Sequence, residues 1–361
     1  MSNNYQLQLK DFLETAIKEE ASDLHIAADY PPMLRVVGRL VPIFKAKKLL
    51  AADTWGLAKE LMCTEEQKSR FLKEKEIDFS YKFENQSRFR VNIFFQRGNI
   101  SISLRFIPSH IKTIEDLNLP TVLHKFTKAS QGLVLITGPS GHGKSTTLAA
   151  LIDEIIRTRA EHIITIEDPI EYVFSGSSRC IVEQREVYQD TQSFAKALKS
   201  TFRQDPDIIM VGEMRDPETI ATTLTIAETG HLVFSTLHTN NAAQTIHRIV
   251  DSFPSDQQNQ IRLQLSGSLL GVVSQRLIPK IKGGLIPACE IMFSTPAVGN
   301  LIRENKTHEL PLVIETSFDK GMISLNKTLV ELIEKNEISL ENGLNYSLNP
   351  SELKMLIEHK L

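Results

Sequence analysis

The sequence has few cysteines, no long apolar run and little net charge, and each of these lacks excludes a class of protein. Cys63, Cys180 and Cys289 lie far apart with no CxxC pair, which argues against a disulfide framework or a cysteine zinc site and suits a reducing compartment. We find no secretory signal and no apolar run long enough to span a bilayer. The net charge of −3 gives no general electrostatic reason to hold nucleic acid. We therefore expect a cytoplasmic protein that does not insert into a membrane.

The length of the chain and its hydrophobic patterns indicate two domains. The 361 residues exceed one ordinary core, and a composition of 41% hydrophobic and 24% charged residues is that of a globular protein. In residues 1–107, short strand-like runs and helical patterns predict a small α+β domain on an antiparallel sheet. Two prolines and several charges make residues 108–120 the expected linker. Residues 121–361 predict an α/β domain with a mostly parallel sheet and a helical C-terminal part.

The most informative motif is GPSGHGKS at residues 138–145, which fits the phosphate-binding pattern GxxxxGK(S/T). An apolar run at residues 133–136 predicts a buried strand before it, and residues 147–157 predict a helix after it. Glycines allow backbone N–H groups to turn towards phosphate oxygens. Lys144 can reach the β- and γ-phosphates, and the Ser145 hydroxyl can ligate Mg²⁺. We predict that ATP is bound here by Ser140, Gly141, His142, Gly143, Lys144, Ser145 and Thr146.

Acidic groups and a histidine follow the other predicted parallel strands, at the edge where the phosphates must lie. Either Glu171 or Glu167 can polarise a water that attacks the γ-phosphate. Glu213 stands in the position of a Walker B acid and can contact Mg²⁺, although Gly212 makes the motif imperfect. His238, at a carboxyl strand end, suits a phosphate sensor. His231 lies seven residues earlier, and we expect it to serve the fold or an interface equally well.

Arginines that could compensate the charge on a transferring phosphoryl group occur in both predicted domains. The second domain offers Arg203 and Arg215. In the first domain, Arg88 and Arg90 share the polar face of one strand, and Arg105 lies on the next. From the residues alone, a solvated polar face is the simpler interpretation of Arg88 and Arg90.

Several long motifs together resemble the secretion-type ATPases of type IV pili and type II secretion and, within them, the pilus retraction ATPases (PilT family). The matching segments cover nearly the whole chain. They are residues 21–26 (ASDLHI), 88–92 (RFRVN), the phosphate loop, the Asp box at 165–171 (TIEDPIE), the Walker B segment at 205–216 and the His box at 230–239.

This resemblance implies a hexameric ring of subunits, each with an N-terminal PAS-like domain and a C-terminal RecA-like domain. It implies that Glu171 is the catalytic glutamate and Glu213 the Walker B acid, with ATP and Mg²⁺ as cofactors. It also implies that His231 and His238 are the two His-box residues, and that Arg88 and Arg90 contact phosphate. The expected partner is an inner-membrane pilus platform protein, which would hold the motor peripherally at the inner face of the membrane. No nucleic-acid partner is expected.

Other functions within and outside this resemblance stay open. Assembly and secretion ATPases of the superfamily usually carry paired CxxC zinc groups and an extra N-terminal domain, so their absence here favours retraction. The retraction motif AIRNLIRE reads AVGNLIRE at residues 297–304, where Gly299 replaces the first arginine and leaves the motor's output open. An accessory retraction ATPase, a nucleic-acid translocase and a nucleotide-gated adaptor without turnover are the further alternatives.

Overall fold

The computed structural model describes residues 2–36, 38–83, 87–107 and 110–358, which form two compact units. One unit comprises Met1–His110 with Asp168–Val173, and the other comprises Ile111–Glu167 with Phe174–Leu361. Among the described helices, none is both long and apolar enough to cross a bilayer.

The first unit is built on an antiparallel sheet with helices against it. Its strands are Asp23–Ala27 (β1), Met33–Val36 (β2), Arg39–Pro42 (β3), Glu76–Phe83 (β4), Ser87–Gln96 (β5) and Asn99–Ile107 (β6), in the order β3-β2-β1-β6-β5-β4. Its helices are Ser2–Lys18 (α1), Ala51–Leu61 (α2) and Glu65–Glu74 (α3).

Local sequence explains the elements of this unit. On β5, Phe89, Val91 and Ile93 are buried while the alternate side chains are partly exposed, because one face of an antiparallel strand packs on the core. Thr64 begins α3 with a capping box, in which the Thr64 hydroxyl accepts from the Gln67 N–H and the Gln67 amide oxygen accepts from the Thr64 N–H. The predicted antiparallel α+β architecture is confirmed, and its PAS-like character stays a prediction.

The second unit contains a mostly parallel sheet flanked by helices. Its strands are Gly132–Thr137 (β7), His162–Glu167 (β8), Ile181–Glu186 (β9), Ile208–Val211 (β10), Leu232–Leu237 (β11), Leu269–Pro279 (β12) and Leu285–Phe293 (β13). The order is β13-β12-β7-β11-β10-β8-β9, and every pairing is parallel except that of β12 with β13. The predicted α/β class is therefore confirmed.

The helices of the second unit follow the strands along the chain and dominate its C-terminal part, as predicted. They are His124–Thr127 (α4), Lys144–Thr158 (α5), Phe194–Thr201 (α6), Pro217–Glu228 (α7), Ala242–Asp251 (α8), Gln258–Ser268 (α9), Pro296–Arg303 (α10), Leu310–Thr316 (α11), Leu325–Glu334 (α12), Leu340–Tyr346 (α13) and Pro350–Glu358 (α14). Short 3-10 turns occupy Thr121–Leu123, Thr307–Glu309 and Phe318–Lys320. The helices α12 and α14 pack with β12 and β13 in a separate apolar cluster that includes Ile278, Leu329 and Leu353.

The apolar runs at residues 133–136, 163–166, 208–211 and 232–235 predict four parallel strands, which form β7, β8, β10 and β11. All residues of β7, β10 and β11 are buried, so these strands read as continuous apolar runs. The strands β9, β12 and β13 were not predicted, because polar residues interrupt them.

The limits of the compact units differ from the predicted domain limits. The second unit begins at Ile111, within the predicted linker 108–120, and it lacks Asp168–Val173 from the predicted domain 121–361. The Glu171 carboxylate in that short segment forms an ion pair with Arg90 of the first unit, at 3.3 Å. The sequence predicts a strand-like run at residues 33–37, and its last residue, Val37, lies outside the described residues, as do the predicted linker residues 108–109. So do residues 359–361.

Candidate nucleotide site

The phosphate loop lies between the carboxyl end of β7 and the first turn of α5. Gly138, Gly141 and Gly143 have φ angles of 143°, 78° and 80°, which only glycine adopts without strain. A Cβ on Gly138 would also collide with the Gln275 carbonyl oxygen of β12. The loop therefore needs glycine both for its backbone turn and for its close contact with β12. Such a turn into a helix N-terminus presents N–H groups to an anion.

Lys144 is buried at the base of the loop, and its ammonium group is held by acceptors. The Nζ atom donates to the Gly138 and Pro139 carbonyl oxygens at 2.9 and 3.0 Å. It also lies 3.2 Å from Nδ1 of His238. Because an ammonium group only donates, Nδ1 of His238 must be the acceptor in this contact. This arrangement fixes the tautomer of a neutral His238, whose proton is then on Nε2.

The other side of His238 contacts the predicted Walker B acid. The Nε2 atom of His238 is 3.3 Å from Oε1 of Glu213, and Oε2 of Glu213 accepts from Nε of Arg215 at 2.9 Å. Lys144, His238, Glu213 and Arg215 therefore form one continuous polar chain. Three sequence-predicted site residues are brought together at the carboxyl edge of the sheet.

Oxygen groups suited to Mg²⁺ occur at the same edge. The Ser145 hydroxyl lies in the first turn of α5 and the Glu213 carboxylate follows β10, and both are the hard oxygen donors that Mg²⁺ prefers. The described residues hold no group of three or more histidines, cysteines and acids placed to bind a metal. A phosphate-loop magnesium site does not require one, because nucleotide phosphates and waters supply most of its ligands.

A glutamine that the sequence analysis missed supports the phosphate loop from β12. The Gln275 side chain is 3% exposed. Its Oε1 atom accepts from the Thr147 hydroxyl of α5 at 2.7 Å, and its Nε2 atom donates to the His142 carbonyl oxygen at 2.9 Å. The Leu277 N–H donates to Nδ1 of His142 at 2.9 Å. The signal in the sequence is a short polar run, Ser274-Gln275-Arg276, between apolar residues.

The environment of His142 keeps its ring uncharged. Burial is the largest cause that lowers the pKa of His142, and repulsion from Arg276 and then Lys144 lowers it further. An uncharged imidazole can use Nδ1 as an acceptor, which agrees with the bond from Leu277. The predicted loop residue His142 is thus fixed to β12 by its backbone and its ring.

His231 lies at the opposite end of β11 from His238. Since β11 runs parallel to β7, His238 shares the edge that carries the phosphate loop and His231 precedes the strand. The ring Nδ1 atom of His231 lies 3.1 Å from the Ile226 carbonyl oxygen, which can only accept. A strand of six residues separates the two histidines by roughly 20 Å. The structure therefore does not bring His231 to the phosphate loop of the same subunit.

The two candidates for the catalytic base lie in different units. The Glu167 side chain is buried at the end of β8, and its Oε1 atom accepts from the Thr165 hydroxyl at 2.6 Å and from Nε2 of Gln184 at 3.0 Å. Glu171 belongs to the first unit and is partly exposed, with Arg90 beside it. The partly exposed carboxylate is the better placed of the two to meet a water molecule.

The two predicted arginines of β5 have different surroundings in the first unit. Arg90 contacts Glu171 and donates to Asp78 through Nε at 3.1 Å and Nη2 at 2.5 Å. Arg88 donates through Nη2 to the Ser80 hydroxyl at 2.8 Å, and its buried Nε atom has no hydrogen-bond partner among the described residues. Of the pair, only Arg88 has a buried guanidinium donor without a partner among the described residues.

The remaining polar candidates have structural partners. The Asp207 carboxylate accepts from the His162 N–H at 2.8 Å, at the amino end of the sheet. Arg105 donates to Asp23 at 2.9 Å. Asp207 precedes β10 and so lies away from the phosphate loop, and Arg105, a candidate to compensate phosphoryl charge, is paired with Asp23.

Comparison with known proteins shows similarity over nearly the whole chain. A model of the family described as type II/IV secretion system protein matches residues 4–345. The Pseudomonas aeruginosa type IV pilus retractation ATPase PilT is 47% identical over 337 residues, which are 93% of this chain and 97% of that protein. A Neisseria gonorrhoeae twitching motility protein is 44% identical over 323 residues, which are 89% of this chain and 86% of that protein.

A solved structure agrees with these sequence matches. The crystal structure of the pilus retraction motor PilT with bound ADP superposes with a TM-score of 0.88 at 44% identity. The superposition covers 96% of this chain and 98% of the PilT chain.

Proposed function

The chain belongs to the type II/IV secretion system protein family, and from this premise we propose that it is an ATPase that drives the retraction of type IV pili. The similarity to proteins named for pilus retraction and twitching motility supports the biological role. The single observation that supports the chemistry best is the polar chain from Lys144 through His238 to Glu213 at the phosphate loop.

Substrate binding in this proposal rests on the loop and the first turn of α5. Backbone N–H groups of residues 140–146 bind the phosphates of ATP, and the Lys144 ammonium moves from its backbone acceptors to phosphate oxygens. Ser145 and Glu213 would hold Mg²⁺, which neutralises charge on the phosphates when it is bound. Gln275 keeps the loop in its binding conformation through His142.

Hydrolysis requires a residue that positions the attacking water and a cation that compensates charge. We assign the first task to Glu171, whose carboxylate accepts a hydrogen bond from the water. Arg90 orients Glu171, and the guanidinium charge of Arg88 compensates the negative charge of the phosphoryl group. His238 holds the Lys144 ammonium on one side and Glu213 on the other, so it responds when γ-phosphate replaces one of these contacts.

Family membership supports a proposal for the assembly and for the mechanical partner. We propose a homohexamer that acts on a membrane platform protein and withdraws pilin subunits from the fibre. His231, remote from the phosphate loop of its own subunit, would then serve at an interface between subunits. No observation on this chain favours an assembly ATPase, a nucleic-acid translocase or an inactive adaptor over this proposal.

The test compares the parent with Glu171→Gln and Lys144→Ala as size-fractionated hexamers. Phosphate release and binding of a fluorescent ATP analogue are measured for each protein. We expect Lys144→Ala to lose binding, and Glu171→Gln to bind normally but hydrolyse at least a hundredfold more slowly. Hydrolysis by Glu171→Gln at the parent rate would refute the base assignment. A parent that binds ATP without turnover would instead indicate a nucleotide-gated adaptor or a need for the platform partner.

Twitching of cells that carry only this ATPase tests the direction of the motor. Retraction predicts that loss of the gene leaves pili on the surface and abolishes movement. Loss of surface pili would instead assign the chain to assembly.

A further inference from the structure

One stretch of the first unit combines positive charge, exposed apolar side chains and a complete lack of acids. Residues 30–52 contain five basic residues and no aspartate or glutamate, in a chain whose net charge is −3. Four of the five bases lie within residues 39–48, which we call the basic loop. They are Arg39, Lys45, Lys47 and Lys48.

The basic loop presents large apolar side chains to solvent. It begins with β3, the outermost strand of its sheet, in which every residue is exposed. Leu40 is 50% exposed and Val41 is 38% exposed, and Phe44 beyond the strand reaches 85%. Tyr30 and Leu50 lie just outside the loop and are 61% and 67% exposed. So many exposed apolar side chains in one short segment mark an interaction surface.

Backbone hydrogen bonds hold the basic loop in a defined shape. The Ile43 N–H donates to the Pro32 carbonyl oxygen at 2.9 Å, and the Ala46 N–H closes a turn on the Ile43 carbonyl oxygen at 3.1 Å. Phe44 and Lys45 are the central residues of that turn, with Lys45 at a φ angle of 60°. The Leu49 N–H donates to the Tyr30 carbonyl oxygen at 3.0 Å. Phe44 is therefore displayed at the tip of a fixed turn.

The basic side chains of the loop are not neutralised by acids within the described part of the chain. Arg39, Lys45, Lys47 and Lys48 form no ion pair with any described acid, and the one contact found for this set is Lys45 Nζ over the Phe44 ring at 5.2 Å. The acids that flank this stretch do not neutralise the loop. Asp53 accepts from the Leu50 N–H at 2.8 Å as part of the start of α2. Asp29, on the other flank, is exposed.

From this combination we propose that the basic loop docks on the surface of an anionic lipid bilayer. Lysine ammonium groups are attracted by anionic headgroups, and Phe44 at the tip of the turn enters the boundary between headgroups and acyl chains. A single aromatic tip with four cations gives reversible, salt-sensitive attachment rather than insertion. Nucleic acid is less favoured, because Phe44 is the one aromatic residue within residues 39–48 and a single ring provides no platform on which successive bases could stack.

The proposal is tested on the full chain with large unilamellar vesicles. One set contains phosphatidylcholine with about 30% phosphatidylglycerol, and the other contains phosphatidylcholine alone. We expect sedimentation with the anionic vesicles only, and we expect it to fall steeply between 50 and 500 mM salt because surface potentials are screened. These measurements need no ATP hydrolysis, so their failure is independent of the proposed motor function.

Matched variants locate the surface. Lys45→Gln/Lys47→Gln/Lys48→Gln is expected to weaken partitioning about a hundredfold, since each lysine near an anionic surface contributes about fivefold. The control Lys18→Gln/Lys73→Gln/Lys82→Gln removes the same charge from exposed positions of the same unit and is expected to bind as the parent does. Phe44→Ser should weaken binding with the salt dependence retained. ATPase activity and thermal midpoint of all these variants should match the parent.

Three results would overturn the proposal. The first is failure of the parent to bind anionic vesicles, and the second is equal binding by the two triple variants. The third is loss of the hexamer in size-exclusion chromatography with the loop variants, which would assign the surface to a second copy of this chain. Binding of single-stranded DNA through the loop, with none to vesicles, would assign it to nucleic acid.

Discussion

Replacing Gln275 by methionine tests whether β12 positions the phosphate loop. Methionine is close to glutamine in volume, but it can neither accept from the Thr147 hydroxyl nor donate to the His142 carbonyl oxygen. Both bonds are buried, at 2.7 and 2.9 Å, and Thr147 is 1% exposed. A lost hydrogen bond costs about 1 kcal/mol, and a buried donor without an acceptor costs about 1–3 kcal/mol. We therefore expect Gln275→Met to cost about 2–4 kcal/mol in total, partly in the free energy of unfolding and partly in the free energy of nucleotide binding.

The assay separates these two parts. The thermal midpoint without nucleotide reports stability, and titration of a fluorescent ATP analogue gives Kd. If about 1.4 kcal/mol of the cost falls on the loop conformation, Kd rises about tenfold. The matched control is Ser274→Ala on β12, since Ser274 has a buried hydrogen bond of 2.8 Å to Thr137 of β7 but, among the described residues, no side-chain hydrogen bond to residues 138–145. We expect this control to lower the midpoint and leave Kd unchanged.

A conservative second variant keeps the test decisive. Gln275→Glu can still accept from Thr147 but has no donor for the His142 carbonyl oxygen, so its Kd should rise at least as much as that of Gln275→Met. Equal values of Kd for the parent, both Gln275 variants and Ser274→Ala would refute the positioning role. Gln275 would then be a buried polar residue that only stabilises the sheet.

Three further predictions concern the other polar clusters. His238→Phe removes the acceptor of the Lys144 ammonium and the contact with Glu213. We expect kcat to fall about a hundredfold and Kd for ATP to change much less. An unchanged kcat would contradict the sensor role of His238. Arg88→Ala should slow hydrolysis by at least tenfold, because it removes the cation that we propose compensates charge on the phosphoryl group. Steady-state phosphate release checks this, and a parent-like rate would return Arg88 to the solvated face. Hydrogen bonding to Glu154 is the largest cause that raises the pKa of His124, burial opposes it, and a bond to Glu115 adds to the rise. Because the folded pKa is raised, this stabilisation is complete below the unfolded pKa of about 6.5 and is lost as pH rises through the folded pKa. The thermal midpoint of His124→Gln should therefore lie further below that of the parent at pH 6 than at pH 8.5. A difference between the two midpoints that does not depend on pH would contradict the charged state of His124.

Local sequence was sufficient where the determinants of structure are local. The apolar runs that form β7, β10 and β11 are buried on both faces, and such strands differ from helices in length and flanking residues. The alternating face of β5 was equally readable. The phosphate loop was predictable because its glycines, Lys144 and Ser145 act within eight consecutive residues.

Strands with mixed polarity could not be read in the same way. The strand β12 carries Ser274, Gln275 and Arg276 in a row, which breaks both the alternating and the continuous apolar pattern. Each of these polar groups is placed by a distant partner: Thr137 for Ser274, Thr147 for Gln275 and Asn240 for Arg276. The function of β12 beneath the phosphate loop therefore depends on contacts that no local window contains.

The sequence by itself indicated that the chain binds a nucleoside triphosphate, located four strands of its parallel sheet (β7, β8, β10 and β11), and supplied the charged candidates for hydrolysis. Only the tertiary structure decided how those residues are grouped. It paired Glu171 with Arg90, 81 positions earlier, joined Lys144 to His238 and Glu213, left His231 at the far end of β11, and displayed an acid-free basic loop. The reason is physical: backbone conformation depends mainly on neighbouring residues, whereas side-chain ion pairs and burial depend on which distant segments the fold brings within a few ångströms.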